Sequence, residues 1–136
     1  EHLASLKYGN NGRLLAFKLG GNQKLPRLDL INKSIPEQPQ LVSTEFQIKR
    51  GTELYGEYCA FCHGTAVRAG PALPDLRMMS NDTHGLFHEI VYQGILSENG
   101  MSSFSDVLSV IDVENIYHYI INTAVNDRNV QLENNQ

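Results

Sequence analysis

Cys59, Cys62 and His63 stand in the run Cys59-Ala60-Phe61-Cys62-His63, a spacing that suits one kind of chemistry above others. Two thiols separated by two residues reach the two vinyl groups on one edge of a haem. The histidine that follows falls beneath the iron as its proximal ligand. These are the only two cysteines in the chain, so no thiol is left for a disulfide framework. A four-ligand zinc site would need a second cluster, and the sequence has none. A thioredoxin-like redox pair would follow a strand in an α/β pattern, and no such pattern precedes Cys59. One covalently held haem c is the expectation.

A second axial ligand must come from elsewhere in the chain. Met101 lies in Asn99-Gly100-Met101-Ser102-Ser103-Phe104. A soft thioether opposite an imidazole favours reduced iron and raises the potential relative to bis-histidine ligation. Met78, Met79, His84, His88 and His118 compete for the position, with the three histidines read as surface or helix-face residues; His2 has no assigned role. Arg77 is a candidate partner for a haem propionate, because a guanidinium pairs bidentately with a carboxylate.

The elements that must position these residues are helical from about Phe46 onward. The spacing of Leu54, Tyr55, Tyr58, Cys59 and Cys62 predicts a helix over 48–58 leading into the cysteines. A second is expected over 81–93, with Asp82 as N-cap and Gly94 as its close. The last begins at Ser109, in a capping box with Asp112, and buries Val113, Ile116, Tyr117, Ile120 and Ala124. The polar end from Gln131 is expected to fray. Before the helices, residues 13–19 read as one β-strand bounded by glycines, and a lone strand needs partners from elsewhere. Residues 22–45, with Pro26, Pro36 and Pro39, read as an extended linker draped over a surface.

At 136 residues the chain holds at most one modest domain plus an appendage. It is small enough that a haem would supply much of its core. A formal charge of −4, without a basic cluster, argues against nucleic acid and anionic membranes as partners. No apolar run is long enough for a membrane span, and none at the N-terminus reads as a signal peptide. The start at Glu1 reads as that of a processed or excised fragment.

The order helix, CxxCH, Gly/Pro loop, helix, methionine loop and C-terminal helix resembles the class I c-type cytochromes. The phrase Gly51-Thr52-Glu53-Leu54-Tyr55 matches that family's first helix. The resemblance implies a mainly α, class I cytochrome c fold, here preceded by one β-strand and an extended linker. It also implies a close crossing of Gly51 with the last helix, at Ile116 and Tyr119. It selects Met101 as sixth ligand, and it gives a proline carbonyl, Pro74 ahead of Pro71, as acceptor for the proximal imidazole. That bond would fix the ring and strengthen it as a donor to iron.

A narrower resemblance covers almost the whole chain. Pro74-Asp75-Leu76-Arg77, Val91-Tyr92-Gln93-Gly94-Ile95-Leu96 and Gly100-Met101 are similar to the C-terminal haem domain of quinohaemoprotein, PQQ-dependent alcohol dehydrogenases. The stretch Gly12-Arg13-Leu14-Leu15-Ala16-Phe17-Lys18-Leu19-Gly20-Gly21 is similar to the closing strand of their β-propeller. The implied division is a propeller-strand fragment at 1–21, a linker at 22–45 and a cytochrome domain at 46–136. The implied function is transfer of single electrons from a PQQ-containing dehydrogenase domain to an external acceptor, a small redox protein or a quinone, in the periplasm. PQQ would sit in the propeller, outside this chain, together with the substrate-oxidising residues. A free-standing electron carrier, a haem-based sensor and a structural haem domain are the alternatives.

Overall fold

The computed structural model describes residues 16–24, 34–69 and 73–134. Four α-helices organise the described residues: α1 (Glu45–Tyr58), α2 (Ala60–His63), α3 (Asn81–Gly85) and α4 (Val110–Asn134). A π-helical turn at Glu89–Gln93 and short 3-10 turns at Thr65–Val67, Leu76–Met78 and Ser97–Asn99 connect them. The class I cytochrome c fold expected from the sequence is borne out. Among the described residues no helix is long and apolar enough to cross a membrane.

α1 starts three residues earlier than its apolar spacing indicates, because Thr44 caps it. The Thr44 hydroxyl accepts from the Gln47 N–H, and the Gln47 side chain accepts in return from the Thr44 N–H. This reciprocal box satisfies two backbone donors that have no partner inside the helix. α4 opens with the expected box: the Asp112 carboxylate accepts from the Ser109 N–H and hydroxyl, and the Ser109 hydroxyl accepts from the Asp112 N–H. α4 buries Val113, Ile116, Ile120 and Ala124 on one stripe, as its spacing predicts, with Tyr117 half-buried beside them.

α1 and α4 pack against each other at Gly51. A Cβ there would run into the Asn115 backbone carbonyl and come within 2.8 Å of the Tyr119 Cβ. Those are the atoms nearest that Cβ, so Tyr119 is at the crossing as expected and Asn115 joins it through its backbone. Successive residues on a helix point about 100° apart, and Ile116 turns away into the core, where none of its surface is exposed. One α1 turn later, the Tyr55 and Tyr119 rings meet with centroids 5.2 Å apart.

Other details depart from the expectations. Ser80 caps α3 in place of Asp82, its hydroxyl accepting from the Thr83 N–H at 3.2 Å. The helix expected over 81–93 is broken into α3 and the π turn, which Gly94 ends at φ +72°. α4 continues to Asn134 instead of fraying from Gln131, because the Gln131 side chain accepts from the Ile35 N–H at 2.9 Å. Residues 34–43 form no helix or strand, and they are anchored to the helical body: Ile35 and Gln38 are buried.

Residues 1–15, which hold the start of the expected strand, lie outside the described residues. Its described end, 16–19, is in no strand and leads into a turn in which the Gly21 N–H donates to the Lys18 carbonyl. Phe17 and Leu19 are exposed there. A strand exists only through its pairing, and no described element pairs with these residues.

A candidate haem site

The cysteine run sits on the turn between α1 and α2. Cys59 ends α1, and its carbonyl accepts from the N–H groups of Cys62 and His63, so the two cysteines and the histidine share one tight turn. Tyr55, buried beneath it, donates its hydroxyl toward the carbonyls of both His63 and Gly64, at 3.1 and 2.9 Å. Burial raises the Tyr55 phenol above its ordinary range, which keeps it the protonated donor this role requires. Gly64 at φ +77° turns the chain away, and a Cβ there would strike the Arg68 carbonyl oxygen.

A cavity of about 570 Å³ opens beside this turn. Cys59, Cys62, His63 and Met101 all border it, and Phe87, Ile90, Val91, Ile116 and Ile120 form much of its apolar wall. His63 is buried, and its Nδ1 lies 2.9 Å from the Pro74 carbonyl oxygen. A carbonyl only accepts, so Nδ1 carries the proton and donates, and the Nε2 lone pair is left for a metal. Pro71 lies outside the described residues. Cys59 and Cys62 are not joined in a disulfide; Cys59 is buried and Cys62 exposed. Burial, with the neighbouring Cys62 thiol adding to it, pushes the Cys59 thiol up to about 12.

Of the residues weighed as sixth ligand, the structure brings the three methionines, Met78, Met79 and Met101, to the cavity and none of the histidines. His118 is not a surface residue. It is buried between helices, with Nδ1 2.7 Å from the Ser43 hydroxyl and Nε2 3.0 Å from the Gln47 amide nitrogen. His84 Nδ1 meets the Tyr117 hydroxyl at 3.1 Å, and His88 stacks on Tyr92. The Met101 loop is stitched to the π turn: the Phe104 N–H donates to the Val91 carbonyl and the Ser103 hydroxyl to that of Tyr92. The Met101 N–H closes the loop on the Leu96 carbonyl at 3.2 Å.

Arg77, the candidate partner for a propionate, stands in an ion cluster with Asp75 and Asp127. Its Nε and one terminal nitrogen donate to the two Asp75 oxygens at 3.0 and 2.6 Å, and the other terminal nitrogen donates to Asp127 at 2.8 Å. Asp127, fifty residues along the chain, also takes two hydrogen bonds from Arg68. Sequence spacing gave no signal for Asp127, since the pairing exists only once α4 crosses the loop.

The residues present fit a covalently attached haem. An apolar cavity carries two thiols on one turn, an imidazole oriented by a carbonyl, and thioether sulfurs. Among the described residues no group of three or more His, Cys, Asp or Glu side chains converges as a bare metal site would require.

Comparison with known proteins decides the family. Residues 46–120 match the model of the family described as cytochrome c oxidase, cbb3-type, subunit III. The chain belongs to that family of cytochrome c domains. It is 38% identical over 119 residues to the quinohemoprotein alcohol dehydrogenase ADH IIB of Pseudomonas putida, covering 87% of this chain and 17% of that protein. It is 32% identical over 117 residues to the dehydrogenase subunit of the alcohol dehydrogenase (quinone) of Gluconobacter oxydans, covering 85% of this chain and 15% of that subunit. The solved structure of quinohemoprotein alcohol dehydrogenase ADHIIG from Pseudomonas putida HK5 superposes with a TM-score of 0.63 at 36% identity, over 79% of this chain and 15% of that one. The chain thus spans about a sixth of the length of these relatives. As a cytochrome c domain homologous to the cytochrome region of quinohaemoprotein dehydrogenases, it is an electron-transfer haem domain.

Proposed function

We propose that this chain carries a single haem c and takes electrons one at a time from a PQQ-containing alcohol dehydrogenase domain, passing them to an external acceptor, a small redox protein or a quinone. In this reading residues 46–136 are the cytochrome domain, 22–45 the connection, and 1–21 the last strand of the propeller that holds PQQ. The periplasm is the compartment, because haem attachment through CxxCH normally takes place outside the cytoplasm.

Bound haem supplies a one-electron iron couple reached through the porphyrin edge. Cys59 and Cys62 would hold that edge by thioethers, His63 would offer Nε2 to the iron, and Met101 would offer its sulfur. Pro74 keeps the His63 ring in one orientation. Phe61, between the two cysteines, is exposed, as is Cys62. This supports an attachment edge that a protein partner can approach. The observation that carries the reading is the His63–Pro74 hydrogen bond on the wall of an apolar cavity that also holds both cysteines. In this reading PQQ and alcohol oxidation belong to the propeller.

The test is to mix the haem-loaded chain with a separately made, PQQ-loaded propeller and follow haem reduction after adding alcohol. Slow reduction that rises with propeller concentration is expected, since the two parts have lost the connection that raises local concentration. Reduction of the haem by alcohol and the chain alone, or none at any propeller concentration, would overturn the reading.

A further inference from the structure

The ion cluster beside the cavity has no part in the function as derived so far. Arg77 and Asp127 are mostly buried, with side chains 16% and 15% exposed. Burial alone would raise the Asp127 carboxyl, but hydrogen bonds from Arg68 and Arg77 overcome it and hold the carboxyl below its usual range. The cluster fastens one particular point of the chain. Asp75 is the residue directly after Pro74, and its Oδ1 accepts from both the Arg77 backbone N–H and Nε. The Pro74 carbonyl and the Asp75 nitrogen belong to the same planar peptide unit, and the proline ring fixes its own φ. Holding Asp75 therefore sets where the Pro74 oxygen points, which is at His63 Nδ1. From α4, Asp127 holds the other side of the Arg77 guanidinium. The Gln38 amide donates to the Arg77 carbonyl at 3.1 Å and braces the same loop from the docked segment.

We propose that Arg77 and Asp127 are positioning residues for the proximal histidine: they aim the Pro74 carbonyl at His63 Nδ1 and so set how strongly the ring donates to iron. The proposal rests on the reading of His63 as the iron ligand. A well-aimed carbonyl draws on the Nδ1 proton and makes the ring a stronger donor, which favours oxidised iron. Loosening the carbonyl weakens the donor and raises the midpoint potential. This role explains why a three-sided ion cluster stands at a short loop whose neighbouring residues, Leu73 and Pro74, are exposed.

Arg77→Lys is the discriminating variant. It keeps the charge, so the electrostatic field at the iron is nearly unchanged, but an ammonium cannot bridge Asp75 and Asp127 as the planar fork does. Two properties of the haem-loaded protein are measured: hydrogen exchange of the His63 ring N–H by NMR in the reduced state, and the midpoint potential. Exchange is expected to quicken about tenfold or more, because a loosened hydrogen bond opens to water more often. The ratio of reduced to oxidised protein at a fixed potential is expected to rise severalfold, where tenfold equals about 59 mV for one electron.

If both readouts stay within twofold of wild type while the thermal midpoint falls, the cluster is only structural and the proposal is overturned. Should Arg77→Lys not accumulate with haem, Arg68→Lys is read instead. It loosens the more exposed arm on Asp127, and unchanged exchange there overturns the proposal equally. A wild-type protein with no protected ring N–H and no low-spin, histidine-ligated spectrum would refute the reading of His63 itself, which is a separate outcome.

Discussion

The contact between α1 and α4 makes a prediction in which the sign of the effect carries the test. Gly51 and Gly56 lie in the same helix and differ in what a methyl group would meet. At Gly56 a Cβ finds nothing within 4 Å, whereas at Gly51 it strikes the Asn115 carbonyl and crowds the Tyr119 Cβ. Replacing a helical glycine by alanine removes backbone entropy from the unfolded chain and is worth about 0.5–1 kcal/mol. Gly56→Ala should gain about that much. Gly51→Ala gains the same term but overpacks a contact whose nearest atoms are backbone, which cannot rotate aside. Overpacking of this kind costs about 1–3 kcal/mol. The propensity term cancels between the two variants, so they should differ by about 1–3 kcal/mol, with Gly51→Ala the less stable. At roughly 2–8 °C per kcal/mol for domains of this general size, the thermal midpoints should separate by at least about 2 °C. The assay is thermal unfolding of both haem-loaded variants, followed by circular dichroism. A Gly51→Ala midpoint equal to or above that of Gly56→Ala would refute the close crossing.

Met101→Ala should abolish the weak near-infrared sulfur-to-iron band of the oxidised protein; loss of that band on changing Met78 or Met79 instead would move the ligand to the other loop. Acid–organic extraction should leave the haem colour on the polypeptide, and mass spectrometry should place one haem on the peptide holding Cys59 and Cys62; freely extracted haem would contradict thioether attachment. The depressed Asp127 carboxyl stabilises the fold above its unfolded value of about 3.9, and that stabilisation is lost as pH falls through the lower folded value. Asp127→Asn should therefore lower stability at pH 7 by on the order of 2 kcal/mol, between the values for exposed and buried pairs, and flatten the acid limb of the midpoint–pH curve.

The chemistry was legible in the sequence where it depends on neighbours in the chain. Cys59, Cys62 and His63 are positioned by a single turn, and the Ser109–Asp112 box closes within three residues. The Thr44–Gln47 box was equally local and readable from Thr44-Glu45-Phe46-Gln47; the apolar spacing drew the helix start to Ile48 instead. Periodicity identified the buried stripe of α4 but not which of two adjacent residues meets Gly51. Asn115 meets the glycine through its backbone while Ile116 faces the core, a difference set by how the two helices are rotated against each other.

The ion pairs of Arg77 and the burial of His118 were hidden in the sequence for a related reason. The partners of these residues, Asp127 for one and Ser43 and Gln47 for the other, are 50 to 75 residues away in sequence. A polar residue looks solvated until the fold brings its partner to it. The π turn at Glu89–Gln93 had no composition signal beyond the Gly94 that ends it.

The central claim is that this chain is an electron-transfer domain built around one axially ligated haem. A potentiometric titration of the purified haem-loaded chain, followed by visible absorbance, tests it most directly. One reversible step that fits a one-electron curve is expected, with the low-spin spectrum of a six-coordinate iron in both oxidation states. A high-spin, five-coordinate reduced form, or no reversible step at all, would contradict it.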